Sequence, residues 1–278
     1  MSNRDDGRLV DALSEIAINA GEAILNVYRQ NFTVETKDDR SPLTQADIAS
    51  HELIRDALSE LTPDIPQLSE ESDSIPFATR SSWGEYWLID PLDGTKEFVN
   101  RNGEFTVNIA LIRDHEPVLG IVHVPVSGVT YAGVNGVGAT RQRNSGDKQS
   151  IQIRIPHANP LIVVGSRSHA NPVLVKHLEA MGDYELVSMG SSLKFCLVAE
   201  GEADFYPRLG PTSEWDTAAA HAVVSAAGGE VMTLSGTPLR YNTKDNLLNP
   251  EFMVVGDPEI PWKEHFADYT SLYPFAAR

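Results

Sequence analysis

Apolar residues recur at helical spacing near the start of the chain. Leu9, Leu13, Ile16, Ala17, Ala20, Ile24 and Val27 fall on one face of a predicted amphipathic helix over 9–30. A second run, Ile48, Leu53, Ile54, Ala57, Leu58 and Leu61, predicts another helix after the stretch SPLTQAD, with Pro42 breaking what precedes it. The rhythm then shortens. Residues 86–90 (YWLID) and 105–112 (FTVNIALI) read as strands, with the Asn102-Gly103 pair as a turn before the second. Residues 118–134 are rich in Val and Gly, and Pro125 and Gly128 mark a turn between two strands.

The polar stretch RQRNSGDKQS (141–150) reads as an exposed loop close to a domain boundary. Beyond it, strands and helices alternate. LIVVGSR (161–167) is a predicted strand, NPVLVKHLEAMG (171–182) a helix ending in Gly, and SSLKFCLVAEGEADFYP a helix running into a strand. WDTAAAHAVVSAAGG opens with an Asp and closes with a Gly pair, marking both ends of a helix, and FMVVGD is a last strand. The pattern predicts two closely packed α+β or α/β subdomains, 1–155 and 156–278, with no internal repeat and no coiled coil.

Composition narrows the classes. The 278 residues are 41% apolar and 22% charged, enough for a real core. Acidic residues outnumber basic ones 39 to 22, and a net charge of -17 argues against broad nucleic-acid binding. An acidic protein that handles phosphates must neutralise them locally. The single cysteine, Cys196, forbids an internal disulfide and suits a reducing compartment. MSNRDDGRLV has no apolar signal core, and no stretch approaches the roughly 20 apolar residues of a membrane span. The expected location is the cytoplasm, with a peripheral contact at the inner membrane left open.

Chemistry concentrates in WLIDPLDGTKEF (87–98). Asp90 and Asp93 stand at the end of an apolar run with only Pro91 and Leu92 between them. Like charges so close repel, and a cation between them is the simplest resolution. A plain β-turn is the competing account, since Asp, Pro and Asp-Gly all favour turns. A calcium-binding EF-hand loop does not fit, because it needs oxygen ligands at alternate positions. A phosphatase using an Asp-x-Asp-Gly-Thr nucleophile would need its carboxylate at position 91, which is Pro91. Glu70, Asp47 and Asp216 each have a bland reading when taken singly: solvated surface for Glu70, a capping box with Thr44 for Asp47, and a helix N-cap for Asp216.

Together, SPLTQAD, LSEES, WLIDPLDGTKEF and WDTAAAHAVVSAAGG resemble the metal-dependent, lithium-sensitive phosphomonoesterases of the inositol monophosphatase family, over nearly the whole chain. DPLDGTKEF, RNGEFTVNIALI, SRSHA and GSSLKFCLVAEGEADFYPR resemble its branch of CysQ-type 3'(2'),5'-bisphosphate nucleotidases. The resemblance implies a layered α/β/α/β/α sandwich and two or three Mg2+ ions. One ion would be held by Glu70, Asp90 and the Leu92 carbonyl, and another by Asp90, Asp93 and Asp216. Thr95 would orient the attacking water, with Asp47 polarising Thr95 and Glu70 beside that water. Catalysis would then rest on Asp47, Glu70 and Thr95. The reacting phosphate would lie against Glu70, Leu92, Asp93, Gly94, Thr95 and Asp216. His169, Ser191, Lys194 and Arg208 would hold the second phosphate and the nucleoside, with Arg167 nearby.

The implied reaction is hydrolysis of the 3'-phosphate of adenosine 3',5'-bisphosphate to AMP and phosphate, without a phosphoenzyme. The sulfated parent nucleotide is a second substrate within the same resemblance, and the role is nucleotide recycling in sulfate assimilation. The implied partner is thus a small nucleotide, handled by a monomer or homodimer. The rival readings are an inositol monophosphatase or fructose-1,6-bisphosphatase with the same acidic core, and a non-catalytic protein sensing nucleotide or metal. Lys96-Glu97-Phe98 and SSLKFCLVAEG argue against the first rival. The complete set Asp47, Glu70, Asp90, Asp93, Thr95 and Asp216 argues against the second.

Overall fold

A computed structural model describes residues 3–30, 42–165, 172–267 and 269. The chain opens with two long helices, α1 (Asn3–Tyr28) and α2 (Pro42–Leu61). α2 begins at Pro42 itself, as a residue with no N–H to lose can. Thr44 and Asp47 therefore lie within the helix, and the capping-box reading of Asp47 does not hold.

β1 (Gln67–Ser69), α3 (Phe77–Arg80), β2 (Glu85–Asp93), α4 (Thr95–Val99), β3 (Thr106–Arg113), β4 (Glu116–Val124), β5 (Val129–Val134), β6 (Gly138–Arg143) and β7 (Gln149–Ile151) follow. Their strands form one seven-stranded sheet in sequence order, antiparallel except for the parallel pair β1–β2. Part of the predicted 141–150 loop is thus the β6–β7 hairpin. The second sheet has the order β11-β12-β10-β8-β9. Its strands and the helices between them run β8 (Leu161–Gly165), α5 (Pro172–Met181), β9 (Tyr184–Ser188), α6 (Leu193–Ala199), β10 (Phe205–Arg208), α7 (Trp215–Ala226), β11 (Glu230–Thr233) and β12 (Phe252–Val255), followed by α8 (Trp262–Phe266).

Alternation along the strands assigns the layers. Trp87, Ile89, Val107, Ile109 and Leu111 pack with Leu13, Ala17, Ile24, Ile54 and Leu58 of α1 and α2. Their neighbours Leu88, Ala110 and Ile112 face the other way, into a core with α6 and α7. The second sheet covers that core with Val164, Tyr206, Phe252 and Val254, while Val163, Phe205, Met253 and Val255 face α5 and α8. The result is the expected α/β/α/β/α sandwich.

The middle layer explains the alanine-rich helix. α7 lies between two sheets, so close approach needs small residues on both sides. At Gly120 on β4 an added Cβ would stand 2.1 Å from the Ala219 carbonyl oxygen, and at Gly133 on β5 2.5 Å from the Val223 Cα. The sheet touches the helix backbone there. Cys196 is fully buried in this layer, as its apolar surroundings predict. Among the described residues no helix is long and apolar enough to cross a membrane.

Candidate metal centre and cleft

The spacing of Asp90 and Asp93 would put them on opposite faces of a regular strand. β2 avoids this with a bulge. Asp90 pairs with Asn108 and Asp93 with Thr106, so that between the pairs two residues on β2, Pro91 and Leu92, oppose one on β3, Val107. The extra residue restores parity, so both aspartates face α7, on the side of Leu88 and Ala110. The predicted strand end at residue 90 is corrected accordingly, since β2 runs to Asp93, and the plain β-turn reading does not hold.

α7 supplies the third carboxylate. Glu214 occupies its N-cap position and Asp216 lies in the first turn, where its Oδ2 accepts the Ser213 N–H at 3.0 Å. The N-cap reading of Asp216 is thereby replaced. Carboxylate oxygens of Asp90, Asp93 and Asp216 lie within 4.8 Å of one another, and Asp90 is 1% exposed. Ser192 donates its N–H to Asp93 at 2.7 Å, and the Ser191 hydroxyl also bonds that carboxylate. Thr106, with Oγ1 2.7 Å from Ser191 Oγ and 2.9 Å from Ser192 Oγ, ties the first sheet to the start of α6.

Glu70 follows β1, and its N–H bonds the Ile89 carbonyl at 3.2 Å, beside Asp90 on the neighbouring strand. Asp47 is half-buried on α2 within the field of Glu70 and Glu71. Gly94 adopts a φ of 97°, and Thr95 opens α4 just after it, exposed to solvent. A side chain at Gly94 would meet the Glu104 carbonyl and the Phe105 backbone, both 3.2 Å away.

The electrostatics are those of a site short of positive charge. Burial, then Asp93, Glu70, Asp216 and Asp47, push the Asp90 carboxyl well above the usual range. Burial and then Asp93 raise Asp216 to about 8, against the lowering pull of the Ser213 N–H and Arg208. Asp47 rises to about 8 through burial, Glu71 and Glu70. Glu70 rises to about 7 through burial, Glu71 and Asp93, with a hydrogen bond to Asp90 acting the other way. Among the described residues no Lys or Arg forms an ion pair with Asp90, Asp93 or Asp216. The three convergent donors are all carboxylates, with no His or Cys among them. That chemistry fits a hard divalent cation.

A cleft of about 160 Å³ opens beside the carboxylates. Asp93, Gly94, Ser191, Lys194, Arg208 and Asp216 line it, as do Lys96, Glu97, Tyr206 and Thr212. Lys194 is not a surface charge. It is 8% exposed, with its ammonium 5.6 Å above the Tyr206 ring and bonded to the Ser191 carbonyl at 2.5 Å. Arg208 donates to the carbonyls of Gly210 (3.1 Å) and Pro211 (2.7 Å). Arg167 and His169 lie outside the described residues. His221 is buried and outside the cleft. Its Nδ1 lies 3.0 Å from the Tyr241 hydroxyl, and burial lowers its pKa to about 3.

Sequence reasoning missed Ser192, which holds Asp93, Thr106 and Asn108, which hold the hydroxyls of the serines there, and Lys96 and Tyr206 at the cleft. The serine and threonine carry no local signal, because their partners lie far away along the chain. Lys96 directly follows Thr95 and was legible.

The family model described as "Inositol monophosphatase family" matches residues 6–265. The 3'(2'),5'-bisphosphate nucleotidase CysQ of Escherichia coli O6:H1 is 51% identical over 248 residues, 88% of this chain and 99% of that protein. The enzyme of the same name from Salmonella typhimurium is 50% identical over 249 residues, covering 89% and 99%. Among solved structures, the crystal structure of CysQ from Bacteroides thetaiotaomicron, a bacterial member of the inositol monophosphatase family, superposes with a TM-score of 0.81. It shares 43% identity over 90% of this chain and 98% of that one.

Proposed function

The chain belongs to the inositol monophosphatase family, and from that premise we propose that it is a 3'(2'),5'-bisphosphate nucleotidase. It removes the 3'-phosphate of adenosine 3',5'-bisphosphate to leave AMP and phosphate, with the sulfated parent nucleotide as a second substrate. One observation carries the chemistry: three carboxylates, from β2 and α7, converge within 4.8 Å beside a cleft lined by Lys194 and Arg208. The substrate assignment draws its support from relatives at about half identity along nearly their full length.

Glu70, Asp90, the Leu92 carbonyl, Asp93 and Asp216 would hold Mg2+. When bound, a pair of such ions neutralises the attacking and leaving oxygens of an in-line displacement. The chain's own groups do the rest. Thr95, at the start of α4, orients the attacking water, and Asp47 accepts the Thr95 proton in a hydrogen bond, with Glu70 beside that water. Gly94 leaves its backbone N–H open to a phosphate oxygen. Ser191, Lys194, Arg208 and His169 bind the rest of the nucleotide. In this reading segment 1–155 carries most of the cation ligands and 156–278 adds Asp216 and the nucleotide contacts. The positions of the two sheets support that division. The buried lone cysteine supports work in the reducing cytoplasm.

Phosphate release from adenosine 3',5'-bisphosphate, inositol 1-phosphate and fructose 1,6-bisphosphate, with and without Mg2+, tests the proposal. The nucleotide is expected to be preferred and turnover to require Mg2+. Asp90→Asn should lower turnover roughly a thousandfold or more, since several kcal/mol of charge stabilisation go with the ligand. Lys194→Ala should raise KM for the nucleotide about tenfold with a smaller effect on kcat. A preference for either sugar-type phosphate would overturn the substrate while keeping the chemistry.

A further inference from the structure

The bulge that aligns Asp90 with Asp93 leaves Pro91 and Leu92 without partners on β3. The Pro91–Leu92 peptide is buried, so its polar ends must bond elsewhere. Both do. The Leu92 N–H donates to Asp90 Oδ1 at 3.0 Å, and the Pro91 carbonyl accepts the Ser50 hydroxyl at 2.8 Å. Ser50 is fully buried in the interior of α2, a helix position where a serine brings no gain in helix propensity. Its hydroxyl is spent on a backbone 41 residues away. One peptide plane is therefore held at both ends, by Ser50 on one side and by a carboxylate of the cation site on the other.

The next residue of α2 makes a second contact. His51 Nδ1 lies 2.9 Å from Ser69 Oγ, and Ser69 directly precedes Glu70. Asp47 sits one turn earlier on the helix. α2 thus touches both segments that carry the first ligands.

We infer that Ser50 is a positioning residue for the cation site: it fixes the Pro91–Leu92 peptide and, through it, the Asp90 carboxylate and the Leu92 carbonyl. The inference rests on the metal reading above and adds a residue that touches neither cation nor substrate. Without the hydroxyl one end of the peptide is released, and the N–H that orients Asp90 is held less firmly. Groups that orient metal ligands are typically worth about 10- to 100-fold in affinity.

Direct Mn2+ titration, with free ion followed by electron paramagnetic resonance, tests this without relying on turnover. Wild type is compared with Ser50→Ala, Ser50→Cys and Ser50→Thr, each checked for a cooperative thermal transition. Ser50→Ala is expected to bind Mn2+ about tenfold more weakly, which corresponds to about 1.4 kcal/mol. Ser50→Thr keeps the hydroxyl and should stay within about threefold. Ser50→Cys fills the space with a weaker donor and should fall between them. In assays, half-activating Mg2+ should rise with Ser50→Ala while KM for the nucleotide stays nearly constant. Equal Mn2+ affinity in wild type and a folded Ser50→Ala or Ser50→Cys variant would overturn the positioning role and leave the metal site standing. A wild type that binds no Mn2+ would overturn both.

Discussion

At the scale of single residues, the centre stores unfavourable charge. Asp90 is buried among Asp93, Glu70, Asp216 and Asp47, and its carboxyl is pushed well above the usual range. The cation-free fold therefore holds protons that the unfolded chain releases. Asp216 shifts from 3.8 to about 8, Asp47 from 3.8 to about 8 and Glu70 from 4.5 to about 7. A carboxylate raised in the folded state binds more protons there, so stability falls as pH rises between the two values. For the cation-free protein the window runs from about pH 4 to about pH 8. Its Tm should drop by about 5 °C or more between pH 5.5 and pH 8, and divalent cation should restore it most at the alkaline end. Asp90→Asn removes the buried charge at nearly constant shape. Without cation at pH 8 it should melt about 3 °C above wild type, roughly 1 kcal/mol, and with Mg2+ it should melt below. Scanning calorimetry checks both, and a cation-free Tm that rises with pH would contradict them.

At the scale of elements, the centre depends on how closely a helix approaches a sheet. Asp216 reaches Asp90 and Asp93 because α7 rests on backbone at Gly120 and Gly133. Gly120→Ala has no room, since its Cβ would stand 2.1 Å from the Ala219 carbonyl oxygen. It should cost about 2–3 kcal/mol by overpacking and weaken Mn2+ binding by displacing Asp216. Gly84→Ala is the control. The nearest atom to its added Cβ is Asp114 Oδ1 at 3.9 Å, and the change should stay within about 0.5 kcal/mol with unaltered Mn2+ affinity. Chemical denaturation with parallel cation titration separates the outcomes. The alanine run of α7 was legible as a helix. Its closeness to the sheet was not, because Gly120 and Gly133 look like ordinary strand glycines until α7 lies across them.

At the scale of the molecule, a chain of net charge -17 has to receive an anionic substrate. The long-range field repels the nucleotide, while at the cleft Lys194, Lys96 and Arg208, set among Asp93, Glu97 and Asp216, offer it cations at short range. Raising KCl from about 0.01 to about 0.15 M shortens the screening length from about 30 to about 8 Å. That should mute the distant repulsion more than the local attraction. At saturating Mg2+, kcat/KM should therefore rise about twofold or more over this range, with kcat nearly constant. A fall in kcat/KM would show the cleft cations dominating the approach as well as the binding.

Residue type and local order were enough to delimit most elements and to mark Asp90 and Asp93, while Asp47, Glu70, Thr95 and Asp216 stood out only through the resemblance of whole motifs. Periodicity and short motifs are properties of neighbours along the chain. They misjudged the places where distant groups replace local ones. Asp47 and Asp216 looked like cap residues, yet α2 starts earlier, at Pro42, and Glu214 takes the N-cap position of α7. Nothing next to Lys194 in the sequence shows what holds it, yet an aromatic ring and a backbone carbonyl keep it within the cleft wall. Tertiary structure alone decided that Asp90 and Asp93 share a face, because one extra residue against β3 resets the side-chain parity of β2. It alone gave Ser50 a role, because a buried peptide outside the ladder needs a donor and α2 lies against it. Register and close approach are set between segments far apart in the chain, and no local pattern encodes them.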